Sequence, residues 1–221
     1  MKQKSRTEYS VMNTTVAFTA QVAAILMGFF TRVVFTRTLS EGYVGINGLF
    51  TDILNILSLS ELGVGTAITY ALYGPIARND IKKQQILMRM FRTFYRITAG
   101  VVLGAGLCLI PFLDILMKDR PDVDHLIVIY LLYLLNSVVS YLLIYKKTLV
   151  DAYQMNYITV MYHNGFLILQ DLCQIIILLV TGNFILFLLA AVVCTIGGNI
   201  CMSRKADSLF PYLKEPCRDH L

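Results

Sequence analysis

Two carboxylates, Asp52 and Glu61, lie nine residues apart in GINGLFTDILNILSLSELGVGTAITYALY (45–73), a stretch otherwise apolar enough to dissolve in lipid. An ionised side chain at the centre of a membrane costs about 3 kcal/mol on insertion scales, so such a group faces a partner, a cavity or water. On a helix that advances about 100° per residue, Asn55, Ser58, Glu61, Gly65 and Thr69 share an arc of about 120°, and Asp52 points half a turn away from Glu61. One face cannot carry both carboxylates, so their chemistry differs. If the first two helices form an antiparallel hairpin turning near 39–42, Asp52 reaches the depth of Arg32. An Arg32–Asp52 ion pair is then expected, either as a staple between helices or as part of a polar cavity. Glu61 is deeper and has no basic residue at its level in the first helix. It can line a wet cavity and take up a proton, or sit as a buried, neutral, hydrogen-bonded carboxyl.

A second stripe repeats the design. His163, Asn164, Gln170, Asp171, Gln174 and Thr181 fall within about 120° on one helix, leaving isoleucine and leucine around the rest. Asn136, Ser137 and Ser140 add polar groups to the preceding span, and Thr195 and Asn199 to the following one. Each residue alone also fits packing glue between membrane helices, worth about 1 kcal/mol or less. Two stripes, each with a carboxylate, point to a shared polar cavity. Cations recur at helical spacing too: Lys82, Arg89, Arg92 and Arg96 cover about 80° of arc. They serve membrane topology and attraction to anionic head groups, or form a receiving surface for the phosphate of a lipid, which the planar arginine fork grips bidentately.

Other chemistries find less support. Cys108, Cys173, Cys194, Cys201 and Cys217 form no CxxC pair and have no histidine at metal-ligand spacing, so no metal is expected. Cys194 and Cys201 share a helix face as small apolar side chains. His125, His163 and His220 are scattered, and no paired-carboxylate DxxD cluster sits at a helix end, which argues against an enzyme acting on polyprenyl phosphates. No cofactor is implied, and no nucleic-acid partner, because the basic residues track membrane topology rather than one folded surface.

The elements that hold these residues follow from composition. The 221 residues are 57% hydrophobic and 15% charged, where soluble domains carry about 25% charge, and the mean hydropathy is +0.65. This is the composition of an all-α integral membrane protein, read as a single membrane domain over 1–221. Spans are expected at about 11–35, 44–72, 92–116, 125–145, 157–180 and 183–202, each a helix because lipid offers the backbone no partners. The expectation is a six-transmembrane-helix bundle. Lys2, Lys4 and Arg6 precede an apolar run too long for a signal sequence, hence a retained first span. Most Lys and Arg, including Arg78, Lys82, Lys83, Lys146, Lys147, Arg204 and Lys205, fall on the side of the N-terminus, against Arg32, Arg37, Lys118 and Arg120 opposite. Both termini are therefore expected in the cytoplasm. TGN (181–183) reads as a tight turn. In 73–90, Pro75 reads as a breaker and Asn79-Asp80 as the cap of a third helix that projects beyond the membrane.

The segment RTLSEGYVGINGLFTDILNILSLSELGVGTAITYALYGPIARND (37–80) resembles bacterial polysaccharide biosynthesis proteins of the Wzx type, as do LMRMFRTFYRI (87–97) and LLNSVVSYLLIYKKTLVDAYQMNYI (134–158). Gly-Ile-Asn-Gly and Glu-Leu-Gly-x-Gly-Thr-Ala are the most specific stretches, and the resemblance runs through FPYLKE. These proteins are lipid-linked oligosaccharide flippases of the superfamily that also holds the multidrug exporters. The resemblance implies flipping of an undecaprenyl-pyrophosphate-linked oligosaccharide across the bacterial plasma (inner) membrane by two six-helix lobes around a central cavity. It carries Arg32, Asp52, Glu61 and the Arg89–Arg96 stripe into the translocation path, and it implies no catalytic residue because flipping breaks no covalent bond. Family members continue into a second lobe, so the chain is expected to be an N-terminal lobe of a longer transporter, or a half-transporter that forms a homodimer. The alternatives are a drug or cation exporter of the same fold and a truncated remnant or accessory subunit.

Overall fold

The computed structural model describes residues 6–58, 64–113, 117 and 123–213. They form α1 (Arg6–Thr38), α2 (Glu41–Ser58), α3 (Val64–Ala77), α4 (Ile81–Leu109) with a 3-10 turn at Ile110–Phe112, α5 (Leu126–Tyr141), α6 (Ile144–Ala152), α7 (Asn156–Thr181) and α8 (Phe184–Leu209). A 3-10 turn at Pro211–Leu213 follows. Among these residues five helical stretches are long and apolar enough to cross a membrane: Ala17–Thr38, Ile81–Phe112, Leu126–Ala152, Asn156–Thr181 and Phe184–Leu209. Their outer faces carry large exposed apolar side chains such as Phe29, Ile97, Val180 and Val193, a surface suited to lipid. The chain is a multi-pass, all-α membrane protein.

The expected second span, 44–72, is divided. It falls into α2 and α3, on either side of residues 59–63, and α3 has 14 residues. At 1.5 Å per residue that is about 21 Å, short of the ~30 Å hydrocarbon core. Pro75 does not end α3 but lies inside it. The turn is made instead at Asn79, in the left-handed region at φ 51. Asp80 then caps α4, its carboxylate accepting from Lys83 N–H at 3.0 Å, so the third expected helix does begin well ahead of its apolar stretch. The TGN turn is as tight as expected. Gly182 takes φ +61 and donates to Leu178 O, and Asn183 Oδ1 accepts from the amides of Ile185 and Leu186.

The packing order departs from a simple up-and-down series. α1 lies along α7, not against α2, and Phe35 near its end meets Phe184 and Phe187 at 5.7 and 5.3 Å between ring centroids. α8 packs on α7 and α5, α4 on α5, and α3 on α6 and α4. Between α4 and α5 the fit is tight because Gly106 admits the buried Leu134, and the buried Tyr130 donates to Gly106 O at 2.8 Å. At the end where α4 begins and α8 stops, Gln84 is a hub with 1% exposure. Its Oε1 accepts from Tyr212 at 2.6 Å and from Tyr153 at 3.0 Å, and its Nε2 donates to Pro75 O at 3.3 Å. Three turns that are far apart in sequence are thereby fixed together. Burial and the adjacent Tyr153 hydroxyl push the Tyr212 phenol well above its ordinary pKa.

Candidate functional site

The apolar run across residues 126–152 carries no proline or glycine, yet its helix breaks. α5 ends at Tyr141, Leu142 is extended (φ −70, ψ 131), and Leu143 sits in the left-handed region (φ 69, ψ −1) before α6 begins. A left-handed leucine costs about 1–2 kcal/mol, so surrounding contacts must hold it there. Asn199 Nδ2 donates to Val139 O at 2.9 Å, and Leu142 N–H to the same carbonyl at 3.1 Å. Non-helical backbone at membrane depth is tolerated where protein buries it or where it lines a wet cavity.

Three cavities surround the break. The first, about 290 Å³, has Ser140, Lys147, His163, Gln170, Thr195 and Asn199 among its walls. The second, about 410 Å³, is lined by Thr69, Tyr73, Tyr95, Lys147 and Asp151. Arg92, Arg96, Tyr95, Tyr141 and Leu143 line the third, about 300 Å³. Lys147 belongs to the first two, Tyr95 to the second and third, and Tyr141 and Leu143 to the first and third. Three cations therefore approach one helix discontinuity. Asp151 is the carboxylate among them, and its Oδ1 accepts from Thr159 at 2.7 Å. A fourth cavity, about 230 Å³, lies further along α7 and is walled by Asn47, Tyr133, Asn136, Gln170 and Gln174.

The residues singled out by sequence divide between these cavities and the outer surface. His163, Gln170, Gln174, Thr69, Arg92 and Arg96 line cavities. Gln174 is buried and donates to Phe187 O at 3.1 Å. Asp171 is half-buried and faces Thr31 of α1. Lys82 and Arg89 are exposed on α4. Asp52 and Asn55 are exposed on α2, so the stripe expected to continue from Asn55 to Thr69 is shared between two helices. Glu61 lies outside the described residues.

The expected Arg32–Asp52 pair is not made. Arg32 is exposed, with its guanidinium 5.8 Å from the Phe35 ring centroid. The cause is the placement of α1, whose long contact is with α7, so the hairpin geometry that would align the two charges does not arise. Among the described residues the ion pair is Lys146–Asp207, at 2.8 Å, and Lys146 Nζ also lies 2.8 Å from Ser203 Oγ.

Lys147, Asp151, Tyr95, Asn47 and the break itself were not anticipated as site features. Lys146-Lys147 at the edge of an apolar run reads as a topology signal, and nothing in YLLIYKK marks a helix interruption. Among the described residues no group of His, Cys, Asp and Glu comes together as a metal site. Compared with models of protein families, with curated proteins and with solved structures, the chain matches none.

Proposed function

We propose that this protein takes part in the transmembrane translocation of a lipid-linked oligosaccharide, with an undecaprenyl-pyrophosphate-linked glycan as substrate, in polysaccharide biosynthesis at a bacterial plasma membrane. The observation that carries the reading is the convergence of Arg92, Arg96 and Lys147 on cavities around the Leu142–Leu143 break. A pyrophosphate cannot enter hydrocarbon, and cations at a wet break between helices offer it charge and hydrogen bonds while its lipid tail stays in the bilayer. The resemblance of residues 37–80 to the flippases supports the same reading. In it, α2 and α3 together make a sixth, interrupted crossing beside the five long spans, so the basic end of the bundle, with both termini, faces the cytoplasm.

The protein acts in this reading as one lobe of a larger transporter, completed by a second lobe or a second copy. Asp52 and Asn55 are exposed on a membrane protein, where a polar face is expected to meet protein or water rather than lipid. Native mass spectrometry of the solubilised protein checks this part. A dimer or a complex with a partner lobe is expected, and a strict monomer counts against it.

The lipid reading is tested by binding in nanodiscs. Undecaprenyl pyrophosphate should bind and undecaprenol should not, and Lys147→Gln should weaken the former about tenfold, the loss of one charge-assisted contact. Indifference to the phosphate would sink the proposal. One observation favours a second reading, export of an organic cation: the second cavity joins Tyr70, Tyr73 and Tyr95 with Asp151, the aromatic and acidic groups a cation favours. Efflux of a cationic dye that is lost in Asp151→Asn would choose it.

A further inference from the structure

The fourth cavity differs in kind from the three around the break. Its polar walls are four carboxamides, Asn47, Asn136, Gln170 and Gln174, with the rings of Tyr133 and Phe187 beside them and no ionic side chain. Gln170 also lines the first cavity, so the two adjoin. Along α7 the cavity-lining residues run from Thr159 through His163 and Gln170 to Gln174, a seam of about 22 Å at 1.5 Å per residue. It is cationic at one end and neutral at the other.

Several of the carboxamides are fixed but not saturated. Gln174 donates its Nε2 to Phe187 O, which leaves Oε1 as an acceptor. Asn47 Oδ1 accepts from the Tyr133 hydroxyl, which leaves the Asn47 amide protons as donors. Asn136 Oδ1 is buried and has no hydrogen-bond partner. An orphaned buried acceptor costs about 1–3 kcal/mol, so its retention calls for a donor that is not part of this chain. No ionic side chain lines the walls, although the Arg32 charge acts on Tyr133 from α1, so the ligand these walls complement best is uncharged and presents groups that both donate and accept. A sugar ring has that chemistry, with hydroxyls for the carboxamides and C–H faces for the aromatic rings. A cavity of about 230 Å³ admits one pyranose and exceeds the ~30 Å³ share of a single water.

We propose that the cavity walled by Asn47, Asn136, Gln170 and Gln174 is a subsite for one uncharged sugar unit of a lipid-linked substrate. This rests on the reading that a phosphate-bearing lipid occupies the cationic chambers next to it. The sugar attached to the phosphate then reaches past Gln170, and a hydroxyl or acetamido N–H of that sugar donates to Asn136 Oδ1.

The test compares two lipids with the full chain in nanodiscs: undecaprenyl pyrophosphate and undecaprenyl pyrophosphate carrying one N-acetylglucosamine. The wild type should bind the glycosylated lipid about tenfold more tightly, the gain from about two neutral hydrogen bonds. Asn136→Leu keeps the size of the side chain and removes the orphaned acceptor. It should cut that ratio severalfold while binding of the bare lipid stays the same, and Asn136→Ala serves if the leucine disturbs folding. A ratio near one in the wild type, or one unchanged in both variants, overturns the subsite and leaves the cavity to water. Bare-lipid binding and its response to Lys147→Gln report on the phosphate reading alone, so its failure is visible separately. If neither lipid binds, both readings fall.

Discussion

Lys146 Nζ lies 2.8 Å from Asp207 Oδ1, an ion pair that ties α6 to α8 and leaves the next residue, Lys147, facing the cavities beside the helix break. Two adjacent lysines thus divide the work, one in the scaffold and one in the site. Replacing each separates the roles. Lys146→Met leaves the Asp207 carboxylate and Ser203 hydroxyl without their partner and should cost about 1–3 kcal/mol of stability. Lys147→Gln should leave the melting temperature in detergent within a few degrees of the wild type and weaken binding of an anionic lipid. Equal thermal losses in the two variants would contradict this division.

The Gln84 hub is open to a similar test. Gln84→Leu removes the acceptor of two half-buried phenols and the donor to Pro75 O, so it should destabilise the protein by about 2–3 kcal/mol. Tyr212→Phe removes one of those bonds and should cost about 1 kcal/mol. The double variant should cost less than the sum, because the two changes share a bond. Thermal melts of the three proteins check the ordering, and strict additivity would show that Gln84 and Tyr212 do not act through each other.

The parts of this molecule that sequence reveals are the local ones. The apolar runs mark the membrane helices, Asp80 marks the start of α4, and Gly182-Asn183 mark the turn into α8, because capping and hydrophobicity act over a few residues. Periodicity also placed His163, Gln170 and Gln174 on one face, and that face lines cavities. Periodicity cannot tell which helix lies opposite, so a hairpin is the default that pairs Arg32 with Asp52 of α2, whereas α1, which carries Arg32, packs on α7. The bond from Tyr212 to Gln84 spans most of the chain and has no local signature. The break at Leu142–Leu143 is hidden for the same reason. Leucine favours helix, and the conformation is held by a tertiary contact from Asn199.

Two glycines on α4 separate close packing from helix propensity. A Cβ at Gly106 would overlap Leu134 Cδ1 and stand 3.2 Å from its Cγ, and Leu134 is too deeply buried to swing away. Gly106→Ala should therefore cost about 1–3 kcal/mol, as overpacking does. At Gly104 nothing lies within 4 Å, so Gly104→Ala should stabilise by about 0.5–1 kcal/mol through backbone entropy. Opposite shifts in melting temperature are expected, and a gain at both positions would mean that α4 and α5 are not held at the spacing described.

The arginines of α4 provide the sharpest test of what the chambers around the break receive. Arg92, Arg96 and Lys83 are all exposed on α4, but Arg92 and Arg96 line a cavity with Tyr141 and Leu143, whereas Lys83 lines none of the four cavities described. If the stripe served only membrane topology or general attraction to anionic head groups, Arg92→Gln, Arg96→Gln and Lys83→Gln would weaken binding of undecaprenyl pyrophosphate alike, and added salt would abolish the differences. A built phosphate site behaves otherwise. Each arginine variant should lose about tenfold in affinity, and Lys83→Gln less than twofold. Arg92→Lys should recover only part of the loss, because a single ammonium cannot reproduce the planar fork that grips two phosphate oxygens at once. Full recovery with lysine would reduce the contribution of Arg92 to charge alone, and equal effects at Arg92, Arg96 and Lys83 would return the whole stripe to a topology signal.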